Sequence, residues 1–206
     1  MKNIRDEALL WMRLAGFVAI WAVILYATDT GLSINWEALK KFPDAVTVYI
    51  IGALVFTHWL WRLRIFQGWL VPFPDLQGTW EGEMKSTWKD PATGVAPSPI
   101  PVVLVIRQTF SSVSCVLYSH ESESQSTAAQ FSRDDESGTV RLNYNYTNRP
   151  RATIRDRSAI HDGASRLRII STPERRLEGE YWTSRCTAGD IALKFRSREL
   201  AETCRK

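Results

Sequence analysis

The residues best suited to chemistry lie close together in the second half of the chain. The stretch from 144 to 157 has the sequence YNYTNRPRATIRDR. Its aromatic and basic members are Tyr144, Tyr146, Arg149, Arg151, Arg155 and Arg157. Tyrosine rings can stack on nucleobases, and guanidinium groups bind phosphates through paired hydrogen bonds. These residue types at this spacing favour a small ligand that carries both bases and phosphates.

The same stretch also fits a plainer interpretation. Asp156 and nearby acidic residues could pair with the arginines and leave a solvated surface loop. Ion pairs of this kind are common on protein surfaces and contribute little to stability. The sequence alone keeps both interpretations open.

Residue patterns typical of enzymes are missing from the sequence. The histidines, His58, His120 and His161, are scattered, and no cysteine or histidine spacing resembles a zinc site. No P-loop, G-x-S-x-G or H-E-x-x-H motif occurs. Most acidic residues fall in turns or on the outward faces of predicted strands, where solvated charge is their expected role. We therefore expect a ligand-binding protein without catalytic residues, metal or cofactor.

The elements that position this stretch follow a period-two pattern from about residue 77 onwards. Segments of alternating apolar and polar residues, separated by turn signals, predict eight strands. We place them at 77–87, 101–109, 112–120, 124–132, 138–147, 164–171, 176–184 and 189–197. Short connections join antiparallel neighbours, so the pattern predicts an all-β domain, an eight-stranded antiparallel up-and-down β-barrel. The alternation does not decide whether the barrel is closed.

The same alternation assigns side chains to the barrel interior. Trp80 in L-x-G-x-W and Tyr181 in L-x-G-x-Y point inward, and we expect them to form core rather than ligand contacts. Strands one, five and seven end at the same rim, because alternate strands of a meander run in the same direction. The predicted ligand-binding residues near that rim are Trp88, Tyr144, Tyr146, Arg149, Arg151, Arg155 and Thr183.

Two apolar segments precede the strands. Residues 8–27 contain one charged residue, Arg13, and residues 45–61 contain no Asp, Glu, Lys or Arg. Each is near the roughly 17 to 25 residues that a helix needs to cross a bilayer. We therefore expect two domains, a two-span transmembrane module at 1–71 and a β-barrel ligand-sensing domain at 72–206. A signal peptide for the first segment and a buried helical hairpin for the pair are the alternatives.

Basic residues beside the two spans predict their orientation. Lys2, Arg5 and Arg13 lie towards the N-terminal end, and Arg62 and Arg64 follow the second span. Basic residues are retained on the cytosolic side, so we expect both termini and the barrel to be cytosolic. An odd number of cysteines without paired spacing agrees with a reducing compartment. The inverted topology, with a periplasmic barrel, is the alternative.

The net charge of +4 is divided evenly between the predicted membrane module and the predicted barrel domain. Proteins that bind long nucleic acids usually carry a broad basic face, which supplies most of their affinity. We therefore expect no long nucleic acid as a partner. A small anionic ligand needs only a few well-placed arginines and remains compatible with this charge.

The arrangement as a whole resembles a family of bacterial defence proteins. Two predicted spans, a Pro-containing linker and a strand opening with Leu76, Gly78, Trp80 and Gly82 resemble the two-transmembrane, β-strand-rich (SMODS-associated) effectors of CBASS, the cyclic-oligonucleotide anti-phage defence. The resemblance implies that the barrel binds a cyclic oligonucleotide made by a partner CD-NTase. It further implies self-association in the inner membrane, membrane disruption and cell death. It identifies no particular ligand contact.

A function of a different class fits the same sequence. The aromatic interior could be ordinary core, or it could hold an acyl chain, in a membrane-tethered lipid-binding or scaffold barrel. This alternative predicts a long apolar cavity and gives no role to the arginines of the 144–157 stretch.

Overall fold

The computed structural model describes residues 6–29, 35–134 and 136–204. Lys2 and Arg5, which support the predicted orientation, lie outside the described residues. The chain divides into two compact units. The first contains Lys2–Pro72 and Thr109–Ser111, and the second contains Phe73–Gln108 and Ser112–Lys206.

Two apolar helices make up most of the first unit. Helix α1 spans Asp6–Ala27 and α3 spans Phe42–His58, with a short α2 at Trp36–Lys40 between them. The ring centroids of Phe17 and Tyr49 are 5.8 Å apart, and those of Trp21 and Phe42 are 5.7 Å apart. Later residues of α1 thus contact earlier residues of α3, so the two helices pack as an antiparallel hairpin.

The first predicted span is confirmed as a helix. Its segment Leu10–Ala27 is long and apolar enough to cross a membrane, and only 6% of it is buried. Length and composition are the basis of this assignment, and a signal sequence near an N-terminus has the same properties.

The second predicted span differs from the prediction in its bounds. Instead of 45–61, α3 contains Phe42–His58, which is 17 residues. At about 1.5 Å per residue this helix is about 25 Å long, compared with roughly 30 Å for the hydrocarbon core of a bilayer. The Arg62 Nη1 donates to the His58 carbonyl at 2.7 Å, which satisfies an acceptor at the helix end. Short 3-10 turns follow at Leu60–Arg62 and Arg64–Phe66.

Eight antiparallel strands in chain order form a closed barrel in the second unit. The strands are β1 Gly78–Ser86, β2 Ile100–Gln108, β3 Val113–Ser119, β4 Ser122–Arg133, β5 Val140–Pro150, β6 His161–Ile170, β7 Arg176–Thr183 and β8 Ala188–Ser197. Pairing of β1 with β8 completes the ring. The predicted up-and-down barrel is confirmed, and it is closed. The end at which β1, β3, β5 and β7 finish is called the upper rim below, and the opposite end is the lower end.

The arginine-rich connection is shorter than the sequence predicts. Strand β5 continues to Pro150 instead of ending at 147, and β6 begins at His161 instead of 164. Asn148 is paired with His161 across these extensions. Pro150 is tolerated because it is the last residue of its strand, where a missing N–H does least harm to the ladder.

Trp80 occupies the barrel core as predicted. It is fully buried, its Nε1 donates to the Leu76 carbonyl at 2.9 Å, and its ring lies 5.2 Å from that of Phe195. Tyr181 is also buried in this core. Gly179 allows neighbouring strands to approach closely, since a Cβ there would collide with the Arg166 carbonyl.

Gln108 fixes the segment that crosses the lower end of the barrel. Its Oε1 accepts from the Leu76 N–H at 2.7 Å, and its Nε2 donates to the Pro74 carbonyl at 3.0 Å. In return, the Gln77 side chain accepts from the Gln108 N–H at 2.6 Å. Buried backbone groups need partners, so this reciprocal pairing holds the segment across the opening.

Arg175 reinforces the same end from the β6–β7 side. Its Nη2 donates to the Asp75 carbonyl at 2.6 Å. Its guanidinium carbon lies 4.0 Å from the ring centroid of Phe195 and 5.2 Å from that of Trp80. Cation–π contacts of this geometry are favourable, and they place the charge over the aromatic core.

Replacing Gln108 with leucine tests whether this pairing stabilises the barrel. The change leaves the Leu76 N–H and the Pro74 carbonyl without their partner, which costs about 2–4 kcal/mol of unfolding free energy. Gln130→Leu, at an exposed position on β4, is the matched control, with an expected effect below about 0.5 kcal/mol. Denaturant unfolding of the full chain in detergent measures the unfolding free energy of both variants. Equal stability of the two variants would show that the lower end does not depend on Gln108.

Candidate functional site

The upper rim brings together the ends of the strands that carry the predicted ligand residues. Strands β1, β5 and β7 finish there at Ser86, Pro150 and Thr183. Trp88 lies two residues beyond β1 and is 45% exposed. The connection from β5 to β6 leaves the barrel at this same rim and carries Arg151, Arg155 and Arg157.

Tyr144 and Tyr146 point into the barrel below the rim. Both are buried, and their ring centroids are 5.9 Å apart. Burial raises the pKa of Tyr146 to about 12 and raises the pKa of Tyr144 further above its ordinary value. Both phenols are therefore neutral at physiological pH, and each hydroxyl can donate as well as accept a hydrogen bond.

Gly163 and Thr183 lie beside Tyr146 in the next two strands. Gly163 is paired with Tyr146 on β5 and with Thr183 on β7. A Cβ at Gly163 would lie 2.5 Å from the hydroxyl of Tyr146, so glycine makes room for the tyrosine ring. The Thr183 hydroxyl lies 2.7 Å from that of Thr187, and this pair closes the turn between β7 and β8.

The predicted arginines have different environments. Arg149 belongs to β5, opposite Glu123 in the strand register, where the alternation directs it to the outer wall rather than over the opening. Arg151 begins the connecting loop, and its N–H donates to the Glu121 carbonyl at 2.8 Å. Both side chains are exposed, and neither forms an ion pair with a residue that the structure describes.

The interpretation of residues 144–157 as a surface loop of ion pairs holds only for the last residue, Arg157. Arg157 pairs with the carboxylate of Glu121, not with Asp156. The Arg155 Nε donates to the Pro150 carbonyl at 3.2 Å and helps to shape the loop. Arg149 and Arg151 remain exposed cations near the rim, available to an anionic ligand.

Asn148 and His161 form an inward polar pair that the sequence analysis missed. The Asn148 Nδ2 lies 3.3 Å from the His161 Nε2, and the His161 Nδ1 lies 2.9 Å from the Ala159 carbonyl. On the outer wall beside them, the Thr147 hydroxyl donates to Asp162 at 2.6 Å. Period-two alternation could have identified Asn148, because it lies on the same strand face as Tyr146. The predicted strand, however, ended one residue before it, at 147.

Small hydroxyl side chains line the rim next to Asn148. Ser124 is paired with Asn148 across β4 and β5 and is buried. The Ser119 and Ser122 hydroxyls lie 3.0 Å apart where β3 turns into β4. The rim is therefore polar, whereas the interior further down consists mainly of leucine, isoleucine and valine packed with Trp80.

A concavity lies on the outer wall, under the C-terminal tail. The Thr79 hydroxyl donates to the Glu199 carbonyl at 2.6 Å and accepts from the Ala201 N–H at 2.9 Å, which holds the tail against β1. The groove has a volume of about 540 Å³ and includes Glu199, Glu202 and Arg196 in its lining. Two carboxylates beside a single arginine make it a poor site for a phosphate ligand.

Comparison with known proteins gives a match over most of the barrel. Residues 71–195, more than half of the chain, match the family model described as Cap15, cyclic dinucleotide receptor domain. This range includes the upper rim, with all seven predicted ligand residues, together with Asn148 and His161.

Two curated relatives cover most of the chain. CD-NTase-associated protein 15 of Staphylococcus schleiferi is 28% identical over 178 residues, which is 86% of this chain and 90% of the relative. CD-NTase-associated protein 15 of Escherichia albertii is 26% identical over 164 residues, which is 75% of this chain and 80% of the relative. The resemblance to CBASS effectors is confirmed, and the chain belongs to the Cap15 family, whose cyclic dinucleotide receptor domain it carries.

Proposed function

We propose that this chain is a membrane-bound CBASS effector that binds a cyclic oligonucleotide at the upper rim and responds by self-association and disruption of the inner membrane. The observation that carries the proposal is the combination of inward tyrosines with exposed arginines at one end of a barrel that matches a cyclic dinucleotide receptor model. The activating ligand comes from a partner CD-NTase, and the chain itself acts as a receptor rather than as an enzyme.

The chemistry of the rim suits a cyclic dinucleotide. Such a ligand has two phosphates in a compact sugar–phosphate ring and two bases attached to that ring. Trp88 provides an exposed aromatic ring near the rim, and Tyr146, buried below the rim, provides a neutral hydroxyl. Arg149, Arg151 and Arg155 supply positive charge at the outer edge, where phosphates can keep part of their hydration. Thr183 contributes a hydroxyl on the β7 side.

The first unit supports the membrane part of the proposal. Large apolar side chains of α1 are exposed: Leu10, Trp11, Leu14, Val18, Val23 and Tyr26. Contiguous exposed apolar surface is unfavourable in water and is stabilised by lipid. We infer that α1 and α3 both span the inner membrane. The shorter α3 requires local thinning of the bilayer or help from its flanking residues. Both termini and the barrel then lie in the cytosol.

In this arrangement the two parts of the chain have different roles. Residues 1–71 act as the membrane module, and residues 72–206 act as the sensing domain. Ligand binding shifts the chain towards an assembled form only if the ligand binds that form more tightly. Ala15 and Ala19, which are exposed on α1, give the helix a small-residue face that permits close packing between copies.

Removing the two exposed rim arginines tests the ligand-binding part of the proposal. Arg149→Ala combined with Arg151→Ala is expected to weaken binding by at least about tenfold, because a charge-assisted hydrogen bond contributes about 1.5–3 kcal/mol. The control pair, Arg133→Ala with Arg168→Ala, removes the same charge from exposed positions nearer the lower end. Calorimetry with a panel of cyclic di- and trinucleotides on the full chain in detergent measures the affinities.

Three results of that titration are informative. Selective loss in the Arg149/Arg151 variant supports the rim as the site. If both variants bind as tightly as the unsubstituted chain, Arg149 and Arg151 are not part of the binding site. A folded chain that binds no nucleotide, but retains lipid through purification, favours the lipid-binding barrel instead.

Assembly and membrane damage are tested on the unsubstituted chain in liposomes. We expect a saturating cyclic dinucleotide that binds the chain to shift it to larger species in cross-linking and to release an encapsulated dye. The same chain with a non-binding nucleotide from the panel is the control. An unchanged size distribution with no dye release would contradict the coupling between binding and assembly.

A further inference from the structure

The structure assigns Asn148 the role of reading an exocyclic amino group on a nucleobase of the ligand, with His161 as its positioning residue. This inference rests on the proposed function and adds the chemistry by which the rim distinguishes ligands. It depends on the orientation of one carboxamide whose oxygen is buried, on its neighbours and on its place above Tyr146.

The hydrogen bonds of His161 fix the orientation of the Asn148 carboxamide. The Ala159 carbonyl can only accept, so the His161 Nδ1 at 2.9 Å must carry the proton. The Asn148 Nδ2, an amide nitrogen that can only donate, lies 3.3 Å from the His161 Nε2, which therefore accepts. The Asn148 Oδ1 is therefore directed away from His161.

The Asn148 Oδ1 is an acceptor without a donor. It is buried and forms no hydrogen bond to any residue in the described parts of the chain. Ser124 on β4 and His161 on β6 are its cross-strand neighbours, and neither supplies a donor to it. A buried polar atom in this state is costly, and a ligand N–H placed against it recovers that free energy.

The position of Asn148 favours a base edge over a phosphate. A carboxamide oxygen is partly negative and repels phosphate oxygens. Asn148 lies two residues above the buried Tyr146 on the same face of β5, so a base that enters at the rim meets the carboxamide with its edge before it reaches Tyr146. Arg151, the first residue of the loop after β5, lies further out, on the side where the phosphates of such a ligand would be. Among base-edge donors, an exocyclic amine extends furthest from the ring.

A ligand without this amine should be rejected. Sites built around a buried acceptor discriminate strongly, because the unmatched ligand leaves the acceptor unpaired. The probe is whichever member of the panel of cyclic di- and trinucleotides carries an exocyclic base amine and binds the full chain most tightly. Its partner is the analogue in which hydrogen replaces the exocyclic amines. We expect the unsubstituted chain to bind the analogue about tenfold more weakly.

Asn148→Leu should abolish this discrimination. The variant is expected to bind the amine-bearing probe about tenfold more weakly and to bind probe and analogue equally. Asn145→Leu is the matched control, because Asn145 lies on the outer face of the same strand and is exposed. It should retain both the affinity and the discrimination of the unsubstituted chain.

His161 variants separate positioning from structure. His161→Leu removes the acceptor that orients the carboxamide and should reduce discrimination between probe and analogue. His161→Gln retains a side-chain acceptor and should restore part of it. Thermal unfolding of each variant in detergent shows which of them are folded.

The outcomes distinguish this inference from the proposed function. If the unsubstituted chain binds no member of the panel of cyclic di- and trinucleotides, the proposed function fails, and this inference fails with it. If it binds probe and analogue equally, the Asn148 role is wrong while the proposed function stands, and this comparison needs no variant. Retained discrimination in a folded Asn148→Leu chain would also overturn the role.

Discussion

The pairing of β1 with β8 is the constraint on which the receptor part of the molecule depends. It joins the edges of the two terminal strands and so closes the sheet into a ring. A closed barrel of eight strands is just wide enough for side chains to fill. Binding chemistry is then confined to the ends and the outer wall.

The two ends of the barrel are built differently. At the lower end, Gln108 and Arg175 hold the segment before β1 across the opening, and large apolar residues pack above it. At the upper rim, inward positions carry tyrosines, serines and the Asn148–His161 pair. An acceptor buried without a donor is tolerated there at a cost in stability, and such costs accumulate at functional sites.

Much of the barrel was predictable because its signals are local. Period-two alternation identified all eight strands, the inward face of Trp80 and the common rim of β1, β5 and β7. The ends of β5 and β6 were not predictable in this way. Pro150, Asn148 and His161 are residue types common in turns, and only their pairing across the two strands extends the ladder.

Contacts between side chains and the backbone account for the remaining differences. The outward Thr79 is buried because the C-terminal tail folds back onto it, and no strand pattern contains that information. Helix α3 ends at His58, where Arg62 binds the last carbonyl, although the apolar composition continues to Trp61. In the candidate site, residue types indicated tyrosines and arginines as candidates, but the outward direction of Arg149 depends on β5 reaching Pro150.

A structure of the full chain with a bound cyclic dinucleotide tests the central claim most directly. The account predicts the ligand at the upper rim, with a base edge at Asn148, above Tyr146, and its phosphates on the side of Arg151. A nucleotide in the outer groove beside Thr79, or an acyl chain inside the barrel with the rim unchanged, would contradict it.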